Sequence, residues 1–88
     1  LIIEVKWILE AAEDLAYWKK YDISKYKRIE LLVNNIQETS FTGLGKPEPL
    51  KYSMSNLWSR RIDHEHRLLY SIDDKEIIIY TCRFRYKK

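Results

Sequence analysis

Gly43, Gly45, Pro47 and Pro49 are the only glycines and prolines in the chain, and all four fall within seven consecutive residues. Glycine and proline are the residues that most often end helices and strands. Their concentration forces one major loop near the middle and leaves both flanks free for long regular elements. The loop also holds a carboxylate, Glu48, between its two prolines. Proline fixes its own φ and biases the residue before it towards extended backbone. Glu48 is therefore pinned in a stiff segment, with Lys46, Lys51, Arg60, Arg61 and Arg67 around it in sequence.

The flanks differ in hydrophobic period. Residues 1–7 alternate from Ile3 to Trp7 and read as a strand. From Ile8 to Lys20 the period becomes helical, with Ile8, Ala11 or Ala12, Leu15 and Trp18 on one stripe. Acids early and lysines late suit the helix dipole. Asp22 or Ser24 can cap a second helix whose stripe is Tyr26, Ile29, Val33 and Ile36, with Leu32 beside it. It ends in Thr39 to Gly43. After the loop the period falls to two. Trp58–Asp63, His66–Ile72 and Glu76–Tyr86 read as strands, joined at His64-Glu65 and Asp73-Asp74, with one short extra strand near Leu50-Lys51. The order β-α-α-β-β-β describes one α+β domain over residues 1–88, two helices covering one face of a twisted antiparallel sheet.

Eighty-eight residues suffice for one core, burying somewhat over ~60% of the unfolded surface. Hydrophobic residues at 45% and charged residues at 33% exclude a disordered chain. No apolar run approaches the roughly 18 residues of a membrane span. The single cysteine, Cys82, cannot form an internal disulfide, and no Cys/His cluster has zinc spacing. No metal or cofactor is expected, and a reducing cytoplasm is the expected setting. Net charge is +3 and unevenly placed: residues 1–45 hold 6 Lys/Arg against 7 Asp/Glu, residues 46–88 hold 10 against 6. A basic second half suggests an anionic partner, with nucleic acid the first candidate.

Strand alternation sorts the sheet. Ile62, Leu68, Tyr70, Ile72, Ile78, Tyr80, Cys82 and Phe84 share one parity within their strands and should face the helices. The opposite parity carries Arg61, Arg67, Arg83 and Arg85, four arginines without an acid among them. Like charges on neighbouring strands repel, so this face favours an anion. Arg60 has core parity and should snorkel at the sheet edge. On residues alone, Glu48 reads more readily as the partner of Lys46 or Lys51 in a loop-ordering ion pair than as a catalyst. His64 and His66 read as turn and strand-start residues, Cys82 as an inert packed thiol, and Trp7, Trp18 and Trp58 as core. Tyr52 suits base stacking and packing equally.

Three stretches carry a resemblance. They are Gly-Leu-Gly-Lys-Pro-Glu-Pro-Leu-Lys from Gly43, Trp-Ser-Arg-Arg-Ile-Asp-x-Glu-His-Arg-Leu-x-Tyr from Trp58, and Cys-Arg-Phe-x-Tyr from Cys82. With Glu13-Asp14-x-x-Tyr17-Trp18, they resemble the Txe/YoeB toxins of bacterial toxin–antitoxin systems, in the RelE/ParE superfamily. The resemblance runs over nearly the whole chain. It implies an α+β fold and a ribosome-dependent mRNA interferase that cuts mRNA in the A site of the 70S ribosome and arrests translation. It also implies neutralisation by a YefM-type antitoxin and a homodimer. By motif, Glu48 takes the place of the catalytic acid, and Lys51, Arg61 and Arg67 those of the basic residues around the scissile phosphate. Tyr86 takes the place of the C-terminal tyrosine. Lys46, Arg60 and Arg83 are assigned to RNA or ribosome binding.

Residue 85 departs from the family, which typically carries His-Tyr where this chain has Arg85-Tyr86. An arginine stays protonated, with a pKa above ~12, so Arg85 can stabilise phosphate charge but is a poor general acid. Three readings stand side by side: a natural toxin with impaired cleavage, a disarmed variant, and a histidine-free mechanism using Lys, Arg and Tyr. The reading adopted is a weakened enzyme. The alternative from another class is a toxin-fold module that binds antitoxin or ribosome without cutting. The gyrase-poisoning branch of the superfamily fits less well, since Glu48, Lys51, Arg61, Arg67 and Tyr86 are all present.

Overall fold

A computed structural model describes residues 4–51 and 56–84. Strand β1 (Glu4–Trp7) leads into helix α1 (Leu9–Tyr21) and helix α2 (Ile23–Glu38). Strand β2 (Glu48–Pro49) follows the loop, and β3 (Trp58–Arg61), β4 (Arg67–Asp73) and β5 (Glu76–Thr81) complete the sheet. Asp22 alone separates the helices. Its backbone N–H caps Trp18 at the end of α1, and its carboxylate accepts from the Ser24 N–H at the start of α2.

The sheet order is β1-β5-β4-β3-β2. The meander β2 to β5 is antiparallel, as alternation predicts, but β1 joins β5 in parallel, so the sheet is mixed. The two helices form a crossover that returns the chain to the other end of the meander. The Ile8 N–H extends the parallel pairing to the Ile79 carbonyl at 3.1 Å.

The helices cover one face. Ala11, Trp18, Ile29, Leu32, Val33 and Ile36 pack on Leu68, Tyr70, Ile77, Ile79 and Cys82. Each fully buried Leu or Ile contributes about 1.5–3 kcal/mol by leaving water. Val5, Trp7, Leu15 and Trp58 close the margins.

The inward set differs from the alternation reading at β5. Ile77 and Ile79 are fully buried and face the helices, whereas Ile78 and Tyr80 are only partly covered. The cause is a register irregularity. Thr81 pairs with Leu69 but Ile79 pairs with Tyr70, so one extra residue lies in β5 and parity reverses across it. Cys82, beyond the irregularity, is again core. Phe84, expected inside, is 54% exposed because β5 ends at Thr81 and the backbone turns to φ 67° at this residue. The short extra strand is Glu48–Pro49 rather than Leu50-Lys51, β3 stops at Arg61, and the last turn centres on Asp74 at φ 57°.

Candidate functional site

Glu48 lies on an edge strand, where a proline's missing N–H costs no ladder bond. It pairs with Ser59, and Pro49 with Trp58. The ladder continues one step through the Leu50 N–H to the Leu57 carbonyl at 2.9 Å. Residues directly opposite across antiparallel strands share a face. The row Glu48, Ser59, Leu69 and Thr81 therefore lies on the face away from the helices, and so does the neighbouring pair Arg61 and Arg67. Glu48 is diagonal to Arg61, a spacing of about 7–8 Å between Cα atoms that an arginine stem spans.

Arg61 and Arg67 stand directly opposite each other. Two guanidinium groups in that position repel, so other contacts must hold them. Arg67 Nη1 donates to the carbonyls of Asp63 (2.8 Å) and His66 (3.1 Å) in the β3–β4 turn. The Asp63 carboxylate makes that turn by accepting from the Glu65 and His66 amides at 2.8 and 2.6 Å. Burial pushes the Asp63 carboxyl up, but the His66 amide, Lys25 ammonium and Glu65 amide outweigh it and bring its pKa down to about 2. Arg61 anchors the loop through its N–H to the Gly45 carbonyl (2.7 Å), and its own carbonyl accepts from Arg28. Its Nε is buried with no hydrogen-bond partner among the described residues. A buried N–H without an acceptor is a cost to the fold.

Arg60 is corrected by the structure. It was expected at the surface as an RNA contact, yet it is fully buried. Every guanidinium donor is used: Nε to the Tyr70 hydroxyl, Nη1 to Asn35 Oδ1 and the Leu44 carbonyl, and Nη2 to the Thr39 and Thr42 carbonyls. A side chain with no exposed area cannot meet a phosphate. Core parity points it inward, and the loop before Glu48 supplies acceptors in place of solvent. Tyr70, whose hydroxyl burial pushes up against the pull of Arg60, donates to the Ser40 carbonyl at 2.8 Å. The loop is thus tied to the sheet by Arg60, Asn35 and Tyr70. No ion pair of Glu48 with Lys46 or Lys51 is present among the described residues, and all three side chains are exposed.

Arg83 also leaves the open face. Its guanidinium stacks 3.5 Å from the centre of the Tyr17 ring of α1 and 4.7 Å from that of Phe84. The expected row of four arginines reduces to the Arg61–Arg67 pair among the described residues. Arg85, Tyr86 and Tyr52 lie outside them. Glu48, Arg61 and Arg67 are brought to one face, with Lys46 and Lys51 exposed on either side of Glu48 in the chain. Asn35 was missed from sequence. The only signal for it is a polar residue inside a helix one position from the apolar stripe.

A small, basic α+β domain with a carboxylate and paired arginines on an open sheet face is a class suited to an anionic polymer. The model of the YoeB-like toxin of bacterial type II toxin–antitoxin systems matches residues 7–86. Toxin YoeB of Escherichia coli is 44% identical over 80 residues, covering 91% of this chain and 95% of that protein. The structure of the YoeB dimer from Staphylococcus aureus superposes with TM-score 0.90 at 37% identity, over 98% of this chain and all of that one. The heterotetrameric YoeB–YefM complex from the same organism gives TM-score 0.86 at 38% identity, over 93% and 95%. The chain belongs to the YoeB toxin family.

Proposed function

We propose that this chain is a metal-independent endoribonuclease that cuts mRNA in the ribosomal A site and stops translation. The observation that carries the reading is the register that sets Glu48 on the same sheet face as the Arg61–Arg67 pair. RNA supplies its own nucleophile, the ribose 2′-OH. Glu48 takes that proton as the oxygen attacks the adjacent phosphorus in line. The P–O5′ bond breaks, leaving a 2′,3′-cyclic phosphate and a 5′-OH end. Charge grows on the non-bridging oxygens during attack, and planar guanidinium forks meet it well. Arg61, partly exposed on this face, is suited to that task. Arg67, held by turn carbonyls, presents its charge beside it. Lys51 and Lys46 steer the strand. The departing 5′-oxygen needs a proton, for which Tyr86 and Lys51 are the candidates. Arg85 stabilises phosphate charge instead.

The partners follow from the relatives. A YefM-type antitoxin neutralises the chain in the bacterial cytoplasm, its acidic segment drawn to the basic face, and two copies pair as in the Staphylococcus aureus dimer. A second reading rests on Arg85: a chain that occupies the A site or sequesters antitoxin without cutting.

The test is cleavage in a programmed 70S ribosome complex. The chain is run beside Glu48→Gln and Arg85→His. Cleavage by the chain, abolished in Glu48→Gln with ribosome binding kept, supports the enzyme. Cleavage by Arg85→His alone supports the binding module. Unchanged cleavage by Glu48→Gln removes Glu48 as the base.

A further inference from the structure

The three residues that end the described chain are held at several points, although they lie outside the regular elements. The holders come from α1, the β3–β4 turn and the start of β4. Asp14 Oδ2 accepts from the Cys82 N–H at 3.1 Å, and Trp18 Nε1 donates to the Cys82 carbonyl at 2.8 Å. Tyr17 carries the Arg83 guanidinium on its ring. At Phe84, the amide donates to His66 Nδ1 at 2.6 Å, and the carbonyl accepts from the Arg67 N–H at 3.1 Å. The His66 ring is fixed in turn, edge-on to Trp18 at 4.8 Å and tilted against Phe84 at 5.5 Å. Asp14, Tyr17 and Trp18 are the helix motif that the cleavage chemistry leaves unused.

This clamp has two consequences. Phe84 is in the left-handed region at φ 67°, a conformation that a phenylalanine does not adopt without outside support. Its N–H would otherwise have no ladder partner, since β5 ends at Thr81. The clamp also fixes where the chain leaves the sheet, with the Phe84 carbonyl against the backbone of Arg67.

We propose that His66 is a positioning residue: its Nδ1 lone pair, acting through the Phe84 amide, holds the Phe84 carbonyl against the Arg67 N–H and so sets Arg67 on the Glu48–Arg61 face. The inference rests on the cleavage reading above. His66 itself does not touch the phosphate. Its Nδ1 is occupied by Phe84, its Nε2 lies 3.8 Å from Glu65 Oε1, and its side chain is 12% exposed.

The roles of ring and lone pair can be separated. His66→Asn keeps an acceptor at the Nδ1 position and loses the ring, whereas His66→Phe keeps the ring and loses the acceptor. His66→Gln, whose oxygen falls nearer the Nε2 position and leaves the Nδ1 position without an acceptor, is a second such variant should His66→Phe not fold. Two readouts are taken on the full chain: amide hydrogen exchange at Phe84, and cleavage rate with affinity in the programmed ribosome, in both the Arg85 chain and its Arg85→His form. His66→Phe or His66→Gln should speed Phe84 exchange at least about tenfold and lower the cleavage rate about tenfold to a hundredfold at unchanged ribosome affinity. His66→Asn should restore both. Phe84 exchange unchanged in His66→Phe and His66→Gln overturns the clamp. Faster exchange with full cleavage overturns positioning. If neither parent cuts, the cleavage reading fails by itself, and positioning for cleavage fails with it. The exchange data then report whether the clamp exists.

Discussion

Replacing Arg60 by Met separates a buried strut from a phosphate contact. Methionine is similar in length and fills the same space, so the packing loss is small. The polar loss is large. Five donors leave five acceptors behind, on Asn35, Thr39, Thr42, Leu44 and Tyr70. At a net value of about 1 kcal/mol for each bond, the upper figure is about 5 kcal/mol. Thr39, Thr42 and Leu44 are exposed residues whose carbonyls recover water, while Tyr70 is fully buried and cannot. The expected loss is therefore about 3 kcal/mol, from a total of about 4–13 kcal/mol for a chain of 88 residues. At about 4–8 °C per kcal/mol, Tm falls by at least about 12 °C. Urea unfolding followed by tryptophan fluorescence gives the free energy, and differential scanning calorimetry gives Tm. Arg60→Lys should fall between, since three ammonium donors cannot serve five acceptors. The reasoning is refuted if Arg60→Met costs less than about 1 kcal/mol while weakening RNA binding, the behaviour of a surface arginine.

Three further outcomes are expected. Gly45→Ala should cost about 2–4 kcal/mol in the same urea assay, because φ is +81° and a Cβ would lie 2.9 Å from Leu32 Cδ2 and 3.1 Å from the Arg61 carbonyl. Asp63 has a folded pKa of about 2, below its ordinary value, so its stabilisation is complete above about pH 4 and is lost as pH falls towards 2. Asp63→Asn should accordingly flatten stability against pH in that window alone, read by thermal melts at each pH. The Cys82 thiol is buried, and burial, then the nearby Asp14 carboxylate, pushes its pKa up to about 12. A disulfide reagent should label it at the rate of unfolding in native buffer and within seconds in strong denaturant.

Much of the fold is legible from local chemistry. The stripe of Ile29, Leu32, Val33 and Ile36 is buried as its spacing requires, and Asp22 caps α2 with its side chain. The clustered glycines and prolines do mark the long loop. Glu48 is held in extended backbone by the prolines around it, as its flanks demand. The arginines show where local reading ends. Alternation places Arg61 and Arg67 together correctly, because β3 and β4 pair without interruption. It misplaces Arg83, because one extra residue in β5 and the break after Thr81 lie between that arginine and the ladder. It gives Arg60 core parity but cannot supply the five acceptors that let a charge remain inside.

Backbone preference, capping and hydrophobic period act over a few residues, so the sequence by itself determined the order of elements, the two helix faces and the stiff loop that carries Glu48. Tertiary structure alone decided the parallel pairing of β1 with β5, the reversal of parity in β5, and the burial of Arg60. It also decided the stacking of Arg83 on Tyr17 and the clamp of His66 on Phe84. Each of these depends on a partner from another element, Asn35 for Arg60 and His66 for Phe84. Such a contact exists only after loop closure has brought the elements together.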